Sequence, residues 1–103
     1  MTAEEMRDAM FGHMAAMLVY WRDLEKPFVA EGQTETGARM EGLLFSLLVM
    51  FDGGSMGTPA FDIIPCPHED DEAHCRAEGG NWWVGEIVTD EPMHEIFPWE
   101  KCR

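Results

Sequence analysis

Leu43-Leu44-Phe45-Ser46-Leu47-Leu48-Val49-Met50-Phe51, followed by Asp52-Gly53-Gly54, is the longest apolar run of the 103-residue chain, broken only by Ser46. A membrane span needs roughly 20 apolar residues, so a run this short reads as a buried element. It is apolar on nearly every side, and a helix of that kind is covered all round. Glycine tolerates the left-handed turn that closes a helix, so Asp52-Gly53-Gly54 marks the end. Thr34 or Thr36 supplies the start, and the first turns between them are polar, with Glu35, Arg39 and Glu41.

Upstream, Thr2 and Glu5 have the spacing of a capping box. Met6, Met10, Met14, Met17, Trp21 and Leu24 then recur at steps of four and three, which predicts one apolar stripe on a helix of about 22 residues. Pro27 ends it, because the residue before a proline is pushed out of the helical region. Phe11, Leu18 and Val19 lie off the stripe and call for a second neighbour, which a homodimer through this helix would supply.

Downstream, Phe61-Asp62-Ile63-Ile64 has strand character and is closed by Pro65. Residues 67–78 read as a short acidic helix stopped by Gly79-Gly80. Residues 82–88, Trp82-Trp83-Val84-Gly85-Glu86-Ile87-Val88, form the second strand candidate, and residues 92–97 one more helical turn. The expected fold is therefore α+β in a single domain, residues 1–103. Two main helices pack on a small antiparallel sheet of two or three strands, with a loop-rich acidic C-terminal half.

Charge narrows the classes of function. The chain has 20 acidic and 7 basic side chains, a net charge of −13. From residue 52 to residue 100 there are 12 acidic residues and one basic residue, Arg76. Such a surface repels nucleic acid and anionic membrane. It attracts a basic protein surface, and solubility alone is the plainer explanation. Three cysteines, Cys66, Cys75 and Cys102, are too few and odd in number for a secreted disulfide scaffold. Glu4 and Glu5 stand where a signal peptide carries positive charge, so the expected location is the cytoplasm.

The segment from Glu41 to Gly54, with its Phe-Ser pair and Asp-Gly end, resembles part of a family of small bacterial and phage-type proteins of no assigned function. The same resemblance takes in Pro59 to Pro65, Pro67 to Asp71, Glu78 to Trp82 and His94 to Phe97, so it spans roughly residues 40–97. It implies a shared architecture around Asp52 and His68, and no activity.

Cys66, His68, His74 and Cys75 place two thiols and two imidazoles within ten residues, the ligand types of a zinc site. Zinc fingers separate their ligand pairs by a dozen or more residues, so a solvated acidic helix is the plainer expectation, with zinc the alternative. The carboxylates of residues 69–72 lack the alternation of a calcium loop and sit well at a helix start. Asp52, His68 and His94 contain the groups of an acid–base set. The simpler roles are an Asp52 side chain that binds backbone amides in the turn and a His94 that anchors the C-terminal turn. No nucleophile elbow or phosphate loop is present, and no catalytic residue is assigned. Trp82 and Trp83, neighbours facing opposite sides of a strand, are the candidate interface anchors, with Asp70 and Asp71 as acidic contacts. The expected function is that of a small acidic, non-enzymatic binding or regulatory protein of the kind phages and mobile elements encode. The alternatives are a nucleic-acid mimic that blocks a basic protein, and a metal-binding protein using residues 66–75.

Overall fold

The computed structural model describes residues 1–80, 82 and 85–102. Helix α1 spans Ala3–Asp23 and helix α2 spans Glu35–Phe51; α3 (Glu72–Ala77) and α4 (Met93–Ile96) are short. A 3-10 turn at Glu69–Asp71 leads into α3, and another at Trp99–Cys102 follows α4.

The helix ends are made by the residues that predict them. The Thr2 hydroxyl accepts from the Glu5 amide at 3.1 Å, and the Glu5 carboxylate accepts from the Thr2 amide at 2.8 Å. Both bonds satisfy amides that have no partner within the helix. The Thr34 hydroxyl accepts from the Gly37 amide at 3.0 Å and starts α2. At the other end of α2, the Gly53 amide donates to Met50 and the Gly54 amide to Val49, at 3.1 and 2.8 Å. Gly53 sits at φ 91°, the left-handed residue on which this double closure depends.

Helices α1 and α2 are joined by polar links around Trp21. Its indole Nε1 donates to the Ser46 hydroxyl at 2.8 Å. The Arg39 guanidinium, paired with Glu35 at 2.6 Å, donates to the carbonyls of Trp21 and Arg22 at 2.8 and 3.2 Å. A cation there fills the unpaired carbonyls of the α1 C-terminus and opposes their partial charge. Gly42 lies directly beneath the indole: a Cβ at that position would stand 2.4–2.5 Å from three ring carbons. Glycine on α2 is thus what lets Trp21 seat against the helix backbone.

The expected sheet does not form. Among the described residues there is no β-strand, so the α+β assignment is corrected to an all-helical framework with extended connections. The two segments do meet: the Val88 amide donates to the Ile63 carbonyl at 2.9 Å, and the Ile63 amide donates to the Thr89 hydroxyl at 3.0 Å. The second bond ends on a side chain rather than a backbone carbonyl, so the ladder stops after one rung. Pro59, Pro65 and Pro67 have no amide hydrogen to extend it. Trp83 and Val84, part of the second strand candidate, lie outside the described residues.

The core is small. Ala38 and Met50 are the buried apolar residues among those described, and Thr58 is the buried polar one. The Thr58 hydroxyl has no hydrogen-bond partner among the described residues. A buried unpaired hydroxyl costs about 1–3 kcal/mol, and valine has nearly the same shape. Thr58→Val should therefore raise stability by about 1 kcal/mol in urea unfolding. The molecule measures 49 × 38 × 22 Å with a radius of gyration of 16.8 Å. A compact chain of this length has roughly 13 Å.

Candidate functional site

Two places bring chemistry-bearing residues together. The first is the end of α2. Asp52 follows the last residue of that helix, and its side chain is only 7% exposed. Its Oδ1 accepts from the Met93 amide at 2.9 Å, and its Oδ2 accepts from the His94 amide at 2.8 Å. The His94 ring nitrogen Nδ1 lies 2.6 Å from the same Oδ2. Burial pushes the Asp52 carboxyl up, but the hydrogen bonds from the His94 amide, the His94 ring and the Met93 amide outweigh it. Its pKa is held below the usual value of 3.8. The carboxylate is therefore the acceptor, and Nδ1 carries the hydrogen. The predicted amide-binding role of Asp52 is present, but the amides come from 41 and 42 residues further along rather than from the turn itself.

Aromatic rings hold this contact from the outside. Phe45 meets the His94 ring edge to face, with centroids 5.6 Å apart. The Trp99 indole donates to the His94 carbonyl at 3.0 Å and stacks at a tilt on Phe97, 4.3 Å between centroids. His94 Nε2 has Glu95 Oε1 at 3.9 Å. Among the described residues no hydroxyl or thiol is bonded to this imidazole, and the pair fastens α4 to α2. His68 stands elsewhere: its Nδ1 accepts from the Asp70 amide at 3.2 Å and starts the acidic 3-10 turn. The structure thus unites Asp52 with His94 and leaves His68 apart.

The second place is a cleft of about 450 Å³ lined by Pro65, Cys66, Pro67, Glu69, Glu72 and Trp82. Two prolines, an indole and two carboxylates thus share its lining. Asp70 and Asp71 lie beside it on the exposed 3-10 turn. Trp83, the other anchor candidate, lies outside the described residues. Cys66, His68, His74 and Cys75 do not converge: among the described residues, no group of three or more His, Cys, Asp or Glu side chains is placed to hold a metal ion. Cys66 lines the cleft, while His68 caps the 3-10 turn and His74 lies exposed on α3. Adjacent ligands on a helical segment point in different directions, which is why proximity in sequence does not gather them.

No helix among the described residues is long and apolar enough to cross a membrane. Compared with known protein families, with characterised proteins and with solved structures, the chain matches none of them.

Sequence reasoning missed two residues that seat Trp21 on α2. Gly42 gave no signal beyond its position in an apolar helix. Ser46 stood out only as the break in the run, and that break is where the Trp21 indole finds its acceptor. Trp82 was expected as a candidate anchor on a strand; it lies among the residues that line the acidic cleft and is not in a strand.

Proposed function

We propose that the chain is a small binding protein whose acidic C-terminal half receives a basic segment of a protein partner. The observation that carries this reading is the cleft at Trp82. A Lys or Arg side chain entering it lays its aliphatic stem on Pro65 and Pro67 and its cationic head over the indole face, with Glu69 and Glu72 at the rim. A cation over an aromatic face contributes about 0.5–2 kcal/mol, more as water is excluded. The surplus of carboxylates between residues 52 and 100 draws such a partner in from a distance.

Affinity capture from the native host, at low and at high salt, tests the reading. The expected captured protein is basic and is released by about 0.5 M salt, because surface attraction is screened at that concentration. The double variant Glu69→Gln, Glu72→Gln and the variant Trp82→Ala should each weaken capture by about tenfold, equivalent to 1.4 kcal/mol. A partner that survives high salt and ignores all three substitutions overturns the proposal. A captured nucleic-acid-binding protein that DNA or RNA displaces would favour the mimic reading. Retention of zinc through dialysis, lost in Cys66→Ala or Cys75→Ala, would favour the metal one.

A further inference from the structure

We infer that the chain is an obligate homodimer, and that the outer face of α2, flanked by Leu18 of α1 and by the Phe97–Trp99 turn, is its interface. The first argument is area. The chain exposes 7787 Å². A compact monomer of 11.7 kDa exposes roughly 5,900 Å², so about 1,900 Å² is in excess. Obligate dimers bury roughly 2,000–5,000 Å² in total, or about 1,000–2,500 Å² from each subunit. The excess surface is thus the amount that one copy covers on another. The need is the chain's own, because the two buried apolar side chains among the described residues, Ala38 and Met50, make a small core for a free-standing domain. A second copy is the partner that every molecule has at hand.

The second argument is where the apolar surface lies. Leu18, Met40 and Leu43 border a groove of about 160 Å³ between α1 and α2, with Trp21, Arg22 and Arg39. Met40 also borders a groove of about 350 Å³ with Gly37, Glu41, Leu44, Phe97, Trp99 and Cys102. The two grooves share Met40, and their lining is mainly apolar, with Arg22 and Arg39 in one and Glu41 in the other. Met40 is 67% exposed and Leu18 52%, high values for side chains of this kind in the middle of helices. The helix positions agree: residues 42–51 of α2 and 9–21 of α1 contain no Asp, Glu, Lys or Arg. An uncharged, mainly apolar helix stretch favours a covered face. Α two-fold axis through Met40 would place each copy's ridge in the other's groove, as self-complementary contacts require.

The charge pattern allows it. The acidic cluster of residues 69–72 and the Trp82 cleft involve none of the residues of this face. Two copies, each at −13, still repel at long range. Added salt should therefore strengthen this association, opposite to its effect on a basic partner. That opposite sign separates a failure here from a failure of the proposed function.

Sedimentation equilibrium on the full-length chain from 1 to 100 µM tests the inference, with the melting temperature followed over the same range. The expected result is a mass of about 23 kDa, twice 11.7 kDa, with Tm rising several degrees per tenfold in concentration. Met40→Glu and Leu44→Glu should each shift the mass to that of one chain, whereas Met56→Glu, at a fully exposed position, should leave it doubled. Alkylation of the natural cysteines locates the face. Cys102 in the groove should react several-fold more slowly in the wild-type chain than in Met40→Glu, and Cys66 equally fast in both. A wild-type mass of one chain throughout the range, with a Tm independent of concentration, overturns the inference. So does a Cys102 rate that is the same in the wild-type chain and in Met40→Glu, or a dimer that persists in Met40→Glu and Leu44→Glu.

Discussion

Replacing Asp52 with alanine lowers the stability of the chain by about 3 kcal/mol, and residues 92–102 come loose before α1 and α2 do. The carboxylate accepts from two amides and one imidazole, all within 2.9 Å. Hydrogen bonds to a charged group contribute about 1.5–3 kcal/mol each when intact, and water recovers part of this once they break. His94 is 25% exposed, so that recovery is partial. In a domain of this size the loss corresponds to a fall in Tm of roughly 10–20 °C. Amide hydrogen exchange should show Met93 and His94 losing protection first. Asp52→Asn retains one acceptor but turns an NH2 toward an amide donor, so it should fall between the two.

The same carboxylate gives the stability a pH dependence. Its native pKa lies below the value of 3.8 it has when unfolded. The unfolded chain therefore binds the proton more readily, and acid favours unfolding. The contribution is complete above about pH 5 and declines as pH falls through 3.8 and then through the lower native value. The stability difference between wild type and Asp52→Asn should be constant near neutrality and shrink below about pH 4. A difference that grew in acid would contradict the geometry.

The second large effect comes from a single methyl group. Gly42→Ala puts a Cβ within 2.5 Å of the Trp21 ring. The indole cannot withdraw without breaking its 2.8 Å bond to Ser46. Overpacking of this kind costs about 1–3 kcal/mol, against which alanine recovers up to about 1 kcal/mol of helix propensity. A contact of 2.4–2.5 Å lies at the severe end of that range, so the net expectation is a loss of about 2 kcal/mol with a red shift of Trp21 fluorescence as the ring is forced outward. Gly12→Ala is the control, since nothing lies within 4 Å of a Cβ there. It should raise stability by up to about 1 kcal/mol. If both substitutions behave alike, the seat of Trp21 on α2 is misplaced.

The helices were legible because their signals are local. Thr2 with Glu5, the methionine spacing and Asp52-Gly53-Gly54 each determine geometry within a few residues of themselves. The sheet was misread because a strand needs a partner along its whole length. Phe61 to Ile64 has the right residue types, but its neighbour offers one backbone bond and a threonine hydroxyl. The propensity of β-branched and aromatic residues describes a half-buried surface, which an extended connection also provides. The Asp52–His94 contact was half legible. Each residue was expected to anchor a turn, but nothing in the spacing revealed that they anchor the same one. A contact across 42 residues leaves no periodic trace.

That long separation has a thermodynamic consequence. Closing a flexible segment of about 40 residues costs roughly 3 kcal/mol beyond a fixed constant. This is comparable to what Asp52 gains by engaging Met93 and His94. The Asp52 contact thus offsets most of the length-dependent part of that entropy, and the packing of Phe45 on His94 and Trp99 adds to it.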